Sequence, residues 1–477
     1  MRNFTRRQFL KGSLAASAAL ALPGRNVLGA NEEVRLGIIG CGGQGNTLGN
    51  RFYDQAGTRI VALAEPDQER LDAIHANVPD ADPYLDFREL LDRDDVDAVV
   101  IAGPVHWHAL MAVWSMEAGK DVYVEKPFAH NIWESHQVVR AARKHNRIVQ
   151  VGTQQRSDPV QDEIKAFLDS GEIGDVQWIK IVRMGGRDPI GKRDTPKEWP
   201  GHIDQDLWHG PAQIEPIYRD EVQYDWHWDF NTGSGEIGNW GPHVVDDAYN
   251  VGLRDFGRFP HRGLACAGGR LAWDDAGDTP NTFISYFETD LYPVMFELRN
   301  VRETGNYRGV SSGYVVQCEG GYYAGGRRGG SAFDNDGNEI KEFTGDAGAG
   351  HYQNFLEAVR SRNPHHLTAE VGTIFYSNTF CHMANLAYRL GQHHEGALTP
   401  DDLKGLVGAF EPWHESVDGF FAHLEDIGVD TAEADIRMMP EIEFDPESGY
   451  TTGAHDTWEA RNYIKREYRE PYVLDEQ

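Results

Sequence analysis

Cysteine is scarce in this 477-residue chain, and the four present are far apart. Cys41, Cys266, Cys318 and Cys381 form no Cys-x-x-Cys pair and no dense framework, which excludes a disulfide-stapled fold and zinc-ligand spacing. His106 and His108 sit two residues apart without a third ligand at the usual spacing, so no metal site is expected. Long apolar runs are missing as well. The segment from Leu14 to Pro23 falls short of the ~20 residues that span a bilayer, and nothing later is longer. Positive charge is in deficit. Lys plus Arg number 45 against 75 for Asp plus Glu, a formal net charge of -30. Such a surface repels nucleic acid and anionic lipid, so neither is an expected partner. Lysine is rarer than arginine, a bias that fits a salty habitat and equally an ordinary acidic protein.

What the sequence does contain begins with "TRRQFLKGS", residues 5 to 13, followed at once by "LAASAALALP". Paired arginines, a short apolar run and small residues at Gly29 and Ala30 resemble a removable twin-arginine export signal over residues 1–30. That implies passage through the twin-arginine translocase and a periplasmic or otherwise exported location, with anchoring if the signal stays uncleaved. Proteins using this route fold before they cross. A chain folded in the cytoplasm can close around a cofactor made there.

From Val34 the sequence reads "VRLGIIGCGGQG". An apolar strand runs into Gly40, Gly42, Gly43, Gln44 and Gly45, matching G-x-G-x-x-G. Glycines there permit a tight turn and close approach of backbone to a pyrophosphate at the next helix N-terminus. The strand in "TRIVALAEPD" ends at Glu65, twenty residues past Gly45, where an acid binds ribose hydroxyls. An acid at that point disfavours the 2′-phosphate of NADP, so NAD is the expected cofactor. Further strands ("VDAVVIAGP", "DVYVEKP", "RIVQVGTQQ") alternate with helices ("HALMAVWSMEAGK", "WESHQVVRAARKHN"), the pattern of a doubly wound parallel sheet over residues 31–155. Ligands then sit beyond the strand tips, at 104–108, 125–127 and 154–156.

"GKDVYVEKPFAHN" resembles the glucose–fructose oxidoreductase/inositol dehydrogenase (Gfo/Idh/MocA) family, whose members place Glu-Lys-Pro at the end of the fifth strand. "GPVHWHALMAVWSMEAGK", "VGTQQRS", "GEIGNWGPHVVD", "HYQNFLEAVRSRNP", "CHMANLAYRLG" and "IKREYREPY" extend the likeness along the chain. The resemblance implies an α/β fold: a Rossmann domain, then an α/β domain at 156–400 with a large open, mostly antiparallel sheet used for homodimer or homotetramer contacts. Residues 401–477 remain as a helical segment and wrapping tail. It also implies Lys126 and His243 as catalytic residues, with Asn239, Asp246 and Arg156 at the substrate. Glu125, Gln154, Trp107 and His108 are expected beside a tightly held NAD. Two positions depart from the family. Asn239 stands where an aspartate is usual and can neither take a proton nor raise a histidine's pKa by charge. Gly103-Pro104 replaces the usual Thr-Pro. Asp247 reads as a solvated carboxylate or helix-dipole partner.

Other stretches carry less. "FDNDGNEI" (333–340) lacks the glycine and glutamate of a calcium loop, and Asp336-Gly337 reads as a hairpin turn. "YYAGGRRGGSAF" reads as a flexible loop, 399–429 as helical, and 440–477 as an irregular tail. Tyr224, Trp226, His227 and Trp228 suit either sugar stacking or a core. The expected activity is oxidation or reduction of a secondary hydroxyl on a sugar or glycoside. Two alternatives stay open: an NAD-dependent glycosidase acting by transient oxidation and elimination, and a non-catalytic sugar-binding relative.

Overall fold

The computed structural model describes residues 33–302, 305–394 and 396–477, so the twin-arginine segment lies outside the described residues. Strands and helices alternate from the start: β1 (Val34–Ile39), α1 (Gly43–Tyr53), β2 (Thr58–Ala64), α2 (Gln68–His75), β3 (Asp82–Tyr84) and α3 (Phe87–Leu91). The series continues with β4 (Ala98–Ile101), α4 (Val105–Glu117), β5 (Asp121–Val124), α5 (Ile132–Lys144) and β6 (Val149–Val151). Their order in the sheet is β3-β2-β1-β4-β5-β6, all parallel. Helices cover both faces, which is why β4 and β5 are buried at every position and read as continuous apolar runs. The order reverses between β1 and β4, and the crevice at that switch point is where such sheets bind ligands. Asp67 and Asn131 cap α2 and α5 by accepting backbone N–H bonds, whereas no side chain caps α1.

After α6 (Val160–Asp169) and β7 (Val176–Met184), the chain crosses a long irregular stretch holding only α7 (Gln205–His209) and one 3-10 turn. It then enters α8 (Gly235–Asn239) and α9 (Gly241–Val251). Seven strands follow: β8 (Arg262–Gly269), β9 (Thr282–Glu288), β10 (Val294–Arg299), β11 (Ser312–Cys318), β12 (Gly321–Gly326), β13 (Gly329–Asp334) and β14 (Glu339–Thr344). The remaining elements are α10 (His351–Ser361), α11 (Val371–Leu390), β15 (Gln392–His393), α12 (Pro400–Val407), α13 (Glu411–Asp426), β16 (Arg437–Glu443) and α14 (Trp458–Ile464). Ten strands form one sheet in the order β14-β13-β12-β11-β7-β10-β9-β8-β16-β15, antiparallel except where β10 runs parallel to β7.

Three readings of the sequence change here. The glycine-rich stretch at 322–333 is the β12–β13 hairpin, paired from Gly321 opposite Asp334 to Gly326 opposite Gly329. The tail begins inside β16, which adds to the sheet beside β8. The segment 399–429 is two helices, separated where Gly408 turns at φ +73. Those two helices cover part of the face that the family resemblance leaves for oligomer contacts. Leu403, Trp413, Val417, Phe420 and Leu424 pack there against Leu264, Ile284, Tyr286 and Met295 of β8, β9 and β10. All four cysteines are free and buried. No group of three or more potential metal ligands occurs among the described residues, and no described helix is long and apolar enough to cross a membrane.

Candidate active site

A cleft of about 920 Å³ runs along the strand tips of the first domain and is roofed by the second. Glu65, Pro66 and Arg70 line one end, Gly40, Gly42, Gly43, Gln44 and Glu125 the middle, and Lys126, Asn239 and His243 the other.

The glycine turn is shaped by what it excludes. Gly40 has φ +87, and a Cβ there would lie 2.3 Å from the Gly103 nitrogen. A Cβ at Gly45 would lie 1.8 Å from the Gly40 carbonyl oxygen, so only glycine lets α1 start this close to the turn. With no side-chain cap, the first N–H groups of α1 are left for a ligand, and the helix dipole favours an anion. Glu65 is buried, accepting from the Cys41 N–H at 2.7 Å and the Asp67 N–H at 3.2 Å. Burial pushes its pKa up to about 7. The turn, the uncapped helix and the buried acid fit a dinucleotide. Arg70, which the sequence reading missed, reaches over Gly42: a Cβ on that glycine would lie 2.5 Å from Arg70 Nη1.

Glu125 ties the turn to the tip of β5. Its Oε1 accepts from Gln44 Nε2 at 3.0 Å and Gln154 Nε2 at 3.4 Å, and burial raises its pKa. His108 contributes differently from expectation. Its two ring nitrogens lie 2.7 Å from the Pro127 carbonyl oxygen and 2.8 Å from that of Gly103; burial lowers its pKa to about 4, so the neutral ring has one N–H and donates it to one of the two. Trp107 donates Nε1–H to the Leu207 carbonyl at 3.0 Å and packs on Phe87 and Tyr472. Both line the cleft, yet their polar atoms are spent on the protein.

At the other end, Lys126 Nζ donates to the Asn239 main-chain oxygen at 2.7 Å and to its Oδ1 at 3.1 Å. Asn239 Nδ2 in turn donates to Glu236 Oε2 at 3.1 Å. Glu236, fully buried, is held by Arg183 Nε at 3.0 Å and Arg187 Nη2 at 3.1 Å. Burial lowers the Lys126 pKa, with the carboxylates of Glu125 and Glu236 opposing the shift. His243 is buried, its Nδ1 has no partner among the described residues, and burial above all holds its pKa well below normal. It is therefore neutral. Glu236 lay within the recognised motif "GEIGNW", but pattern alone gave no sign that its carboxylate turns inward to meet two arginines.

The structure separates Arg156 and Asp246 from this group. They grip each other, Nε to Oδ2 at 2.8 Å and Nη2 to Oδ1 at 2.7 Å, and neither lines the cleft. Asp255, Asn250 and Ser377 complete the network, which leaves no polar face toward a substrate. Asp247 is buried rather than solvated, and desolvation pushes its pKa well up. Of the aromatic cluster, Tyr224, Trp226 and His227 line the cleft, whereas Trp228 is buried. The other residues missed by sequence are Arg327 and Arg328, at the tip of the β12–β13 hairpin and in the cleft wall.

Residues 34–153 match the oxidoreductase family with the NAD-binding Rossmann fold, Gfo/Idh/MocA. The chain carries a Gfo/Idh/MocA domain. Residues 3–23 match the twin-arginine translocation pathway signal sequence. Inositol 2-dehydrogenase 1 of Saccharopolyspora erythraea is 36% identical over 161 residues, 32% of this chain and 47% of that protein. A glycosyl hydrolase family 109 protein of Shewanella baltica is 34% identical over 174 residues, 30% of this chain and 38% of the relative. The chain thus spans less than half the length of these curated relatives. Among solved structures, levoglucosan dehydrogenase in complex with NADH and levoglucosan superposes with a TM-score of 0.57 at 16% identity, covering 73% of this chain and 95% of that one. An oxidoreductase from Agrobacterium radiobacter, in complex with NAD+, L-tartaric acid and magnesium, gives 0.56 at 14%, covering 73% and 94%. Likeness at these identities shows a shared fold alone.

Proposed function

We propose that this protein is an exported, NAD-dependent oxidoreductase acting on a secondary hydroxyl of a sugar or glycoside. The observation that carries the reading is the Lys126 amine, desolvated and held by two oxygens of Asn239 at the inner end of a dinucleotide-shaped cleft. A neutral amine has two N–H bonds and one lone pair. Both N–H bonds are spent on Asn239, so the lone pair is left to accept the proton of a substrate hydroxyl. His243, neutral and on the same wall, offers a hydrogen bond that orients that hydroxyl. Tyr224, Trp226 and Trp240 line the same cleft, and aromatic rings there suit the apolar face of a sugar. Gly40, Gly42, Gly43, Gln44 and Gly45 would hold the pyrophosphate, Glu65 the adenosine ribose, and Glu125 and Gln154 would flank the nicotinamide. When bound, the dinucleotide supplies the hydride acceptor.

Asn at position 239 then has a purpose. A carboxylate there would stabilise the ammonium form of Lys126, whereas an amide holds the amine without charging it. Asn239→Asp is expected to raise the Lys126 pKa. The base works when deprotonated, so the rising limb of the pH–rate profile should move to higher pH, by about 1–3 units, and the rate at neutral pH should fall. An unchanged profile would show that Lys126 is not the titrating base.

A dinucleotide enzyme working outside the cytoplasm needs to keep the cofactor with which it folded. The mature protein is therefore expected to purify with nucleotide bound at near one per chain, resistant to dialysis. Denaturation followed by assay of the released nucleotide checks this, and an empty protein that binds NAD weakly would contradict it. A second reading draws on the glycosyl hydrolase family 109 match. In it the hydride returns to the sugar after the aglycone has left, and aglycone release without net nucleotide reduction would distinguish it.

A further inference from the structure

We infer that the substrate carries an anionic group, a carboxylate or phosphate on the sugar, and that Arg327 and Arg328 receive it. This rests on reading the cleft as the sugar site. The β12–β13 hairpin closes through a two-residue turn, Arg327-Arg328, between Gly326 and Gly329. Turns of this length favour Asn or Gly, because they demand positive φ. Arg328 adopts φ +74, a left-handed conformation that glycine would hold without strain. A long cation therefore stands at a turn position whose backbone favours glycine.

Both line the cleft, and neither side chain makes a hydrogen bond or ion pair with any described residue. The other arginines at this end are matched, Arg183 and Arg187 both to Glu236. Arg327 only overlies the Trp240 ring, with Cζ 5.7 Å from its centroid. Its charge acts on Glu125, Lys126 and His243, which places it beside the reacting end of the cleft. A guanidinium pair matches the planar, bidentate geometry of carboxylate and phosphate. A chain of net charge -30 repels anions, so an anionic substrate needs a local cationic patch to enter.

The test compares glucuronate and glucose 6-phosphate with glucose, using the nucleotide-loaded protein and its Arg327→Gln and Arg328→Gly variants. Binding is followed by tryptophan fluorescence, since Trp240 lies beside Arg327, and turnover is followed separately. Wild type should bind at least one acidic sugar more tightly than glucose. Each variant should reduce that ratio by about 10-fold to 100-fold, with dinucleotide affinity retained. Glucuronate alone showing the effect identifies the carboxylate, and glucose 6-phosphate alone the phosphate. Arg328→Gly relieves the strained turn, so loss of acid preference in a fold at least as stable as wild type excludes misfolding as the cause. Equal binding of acidic and neutral sugars by wild type would overturn the inference, as would variants that lose dinucleotide and keep the ratio. Acid-selective binding without any oxidation would leave the inference standing and remove the oxidoreductase reading.

Discussion

Lys126→Met should lower turnover by ~10²-fold or more, the scale of a lost acid–base group, while dinucleotide binding holds. Methionine keeps the length and apolar stem of lysine and removes its proton acceptor. The dinucleotide end of the cleft is built from Gly40 to Gln44 and Glu65, which make no hydrogen bond to the Lys126 side chain. Asn239 stays anchored through Nδ2 to Glu236, so the wall of the site keeps its shape. Steady-state turnover alongside a dinucleotide titration separates the two effects. Wild-type-like turnover would remove Lys126 from the mechanism. A parallel loss of nucleotide would recast it as a structural residue.

The second large effect concerns stability. Arg156→Met is expected to destabilise the fold by about 3–5 kcal/mol at neutral pH, the cost of leaving a buried charge without its partner. The side chains of Arg156 and Asp246 are only 4% and 1% exposed, so water cannot replace the lost guanidinium. Asp246 would keep the Ser377 hydroxyl, at 2.6 Å, as a single donor where it now has three. Denaturant unfolding of the two proteins at neutral pH measures the difference. A substitution with little cost at neutral pH would mean that the pair is not the internal brace described.

The same pair shows where sequence stops being legible. His243 and Asp246 lie three apart on α9 and share a face by period, yet the cleft reaches only His243. Asp246 is claimed by Arg156 from the β6 tip, a partner 90 residues away that no local pattern reveals. The dinucleotide turn was legible because its chemistry is local: strand, glycines and helix follow one another, and an acid ends the next strand. Lys126 and Asn239 were each visible as motif residues, but their mutual bond depends on how two domains meet. Glycine hid the β12–β13 hairpin. "GYYAGG" and "GGSAFD" lack the alternation that marks a half-buried strand, so the arginines at the tip read as loop rather than as part of the cleft wall. Lining of the cleft by Trp107 and His108 was anticipated, whereas the Trp107 bond to the Leu207 carbonyl and the seat of the His108 ring between the Gly103 and Pro127 carbonyls came only from the fold.

The central claim is that a hydride leaves a sugar carbinol carbon for a dinucleotide held in this cleft, with Lys126 taking the proton. It is tested most directly with sugars deuterated at each carbinol position in turn, acidic sugars included. Each is mixed with the nucleotide-loaded protein, and the nucleotide is recovered by denaturation for mass analysis. The account predicts deuterium on the reduced nucleotide from one labelled position in wild type, and at least ~10²-fold slower transfer in Lys126→Met. Nucleotide that stays unlabelled with every sugar and every position would contradict it.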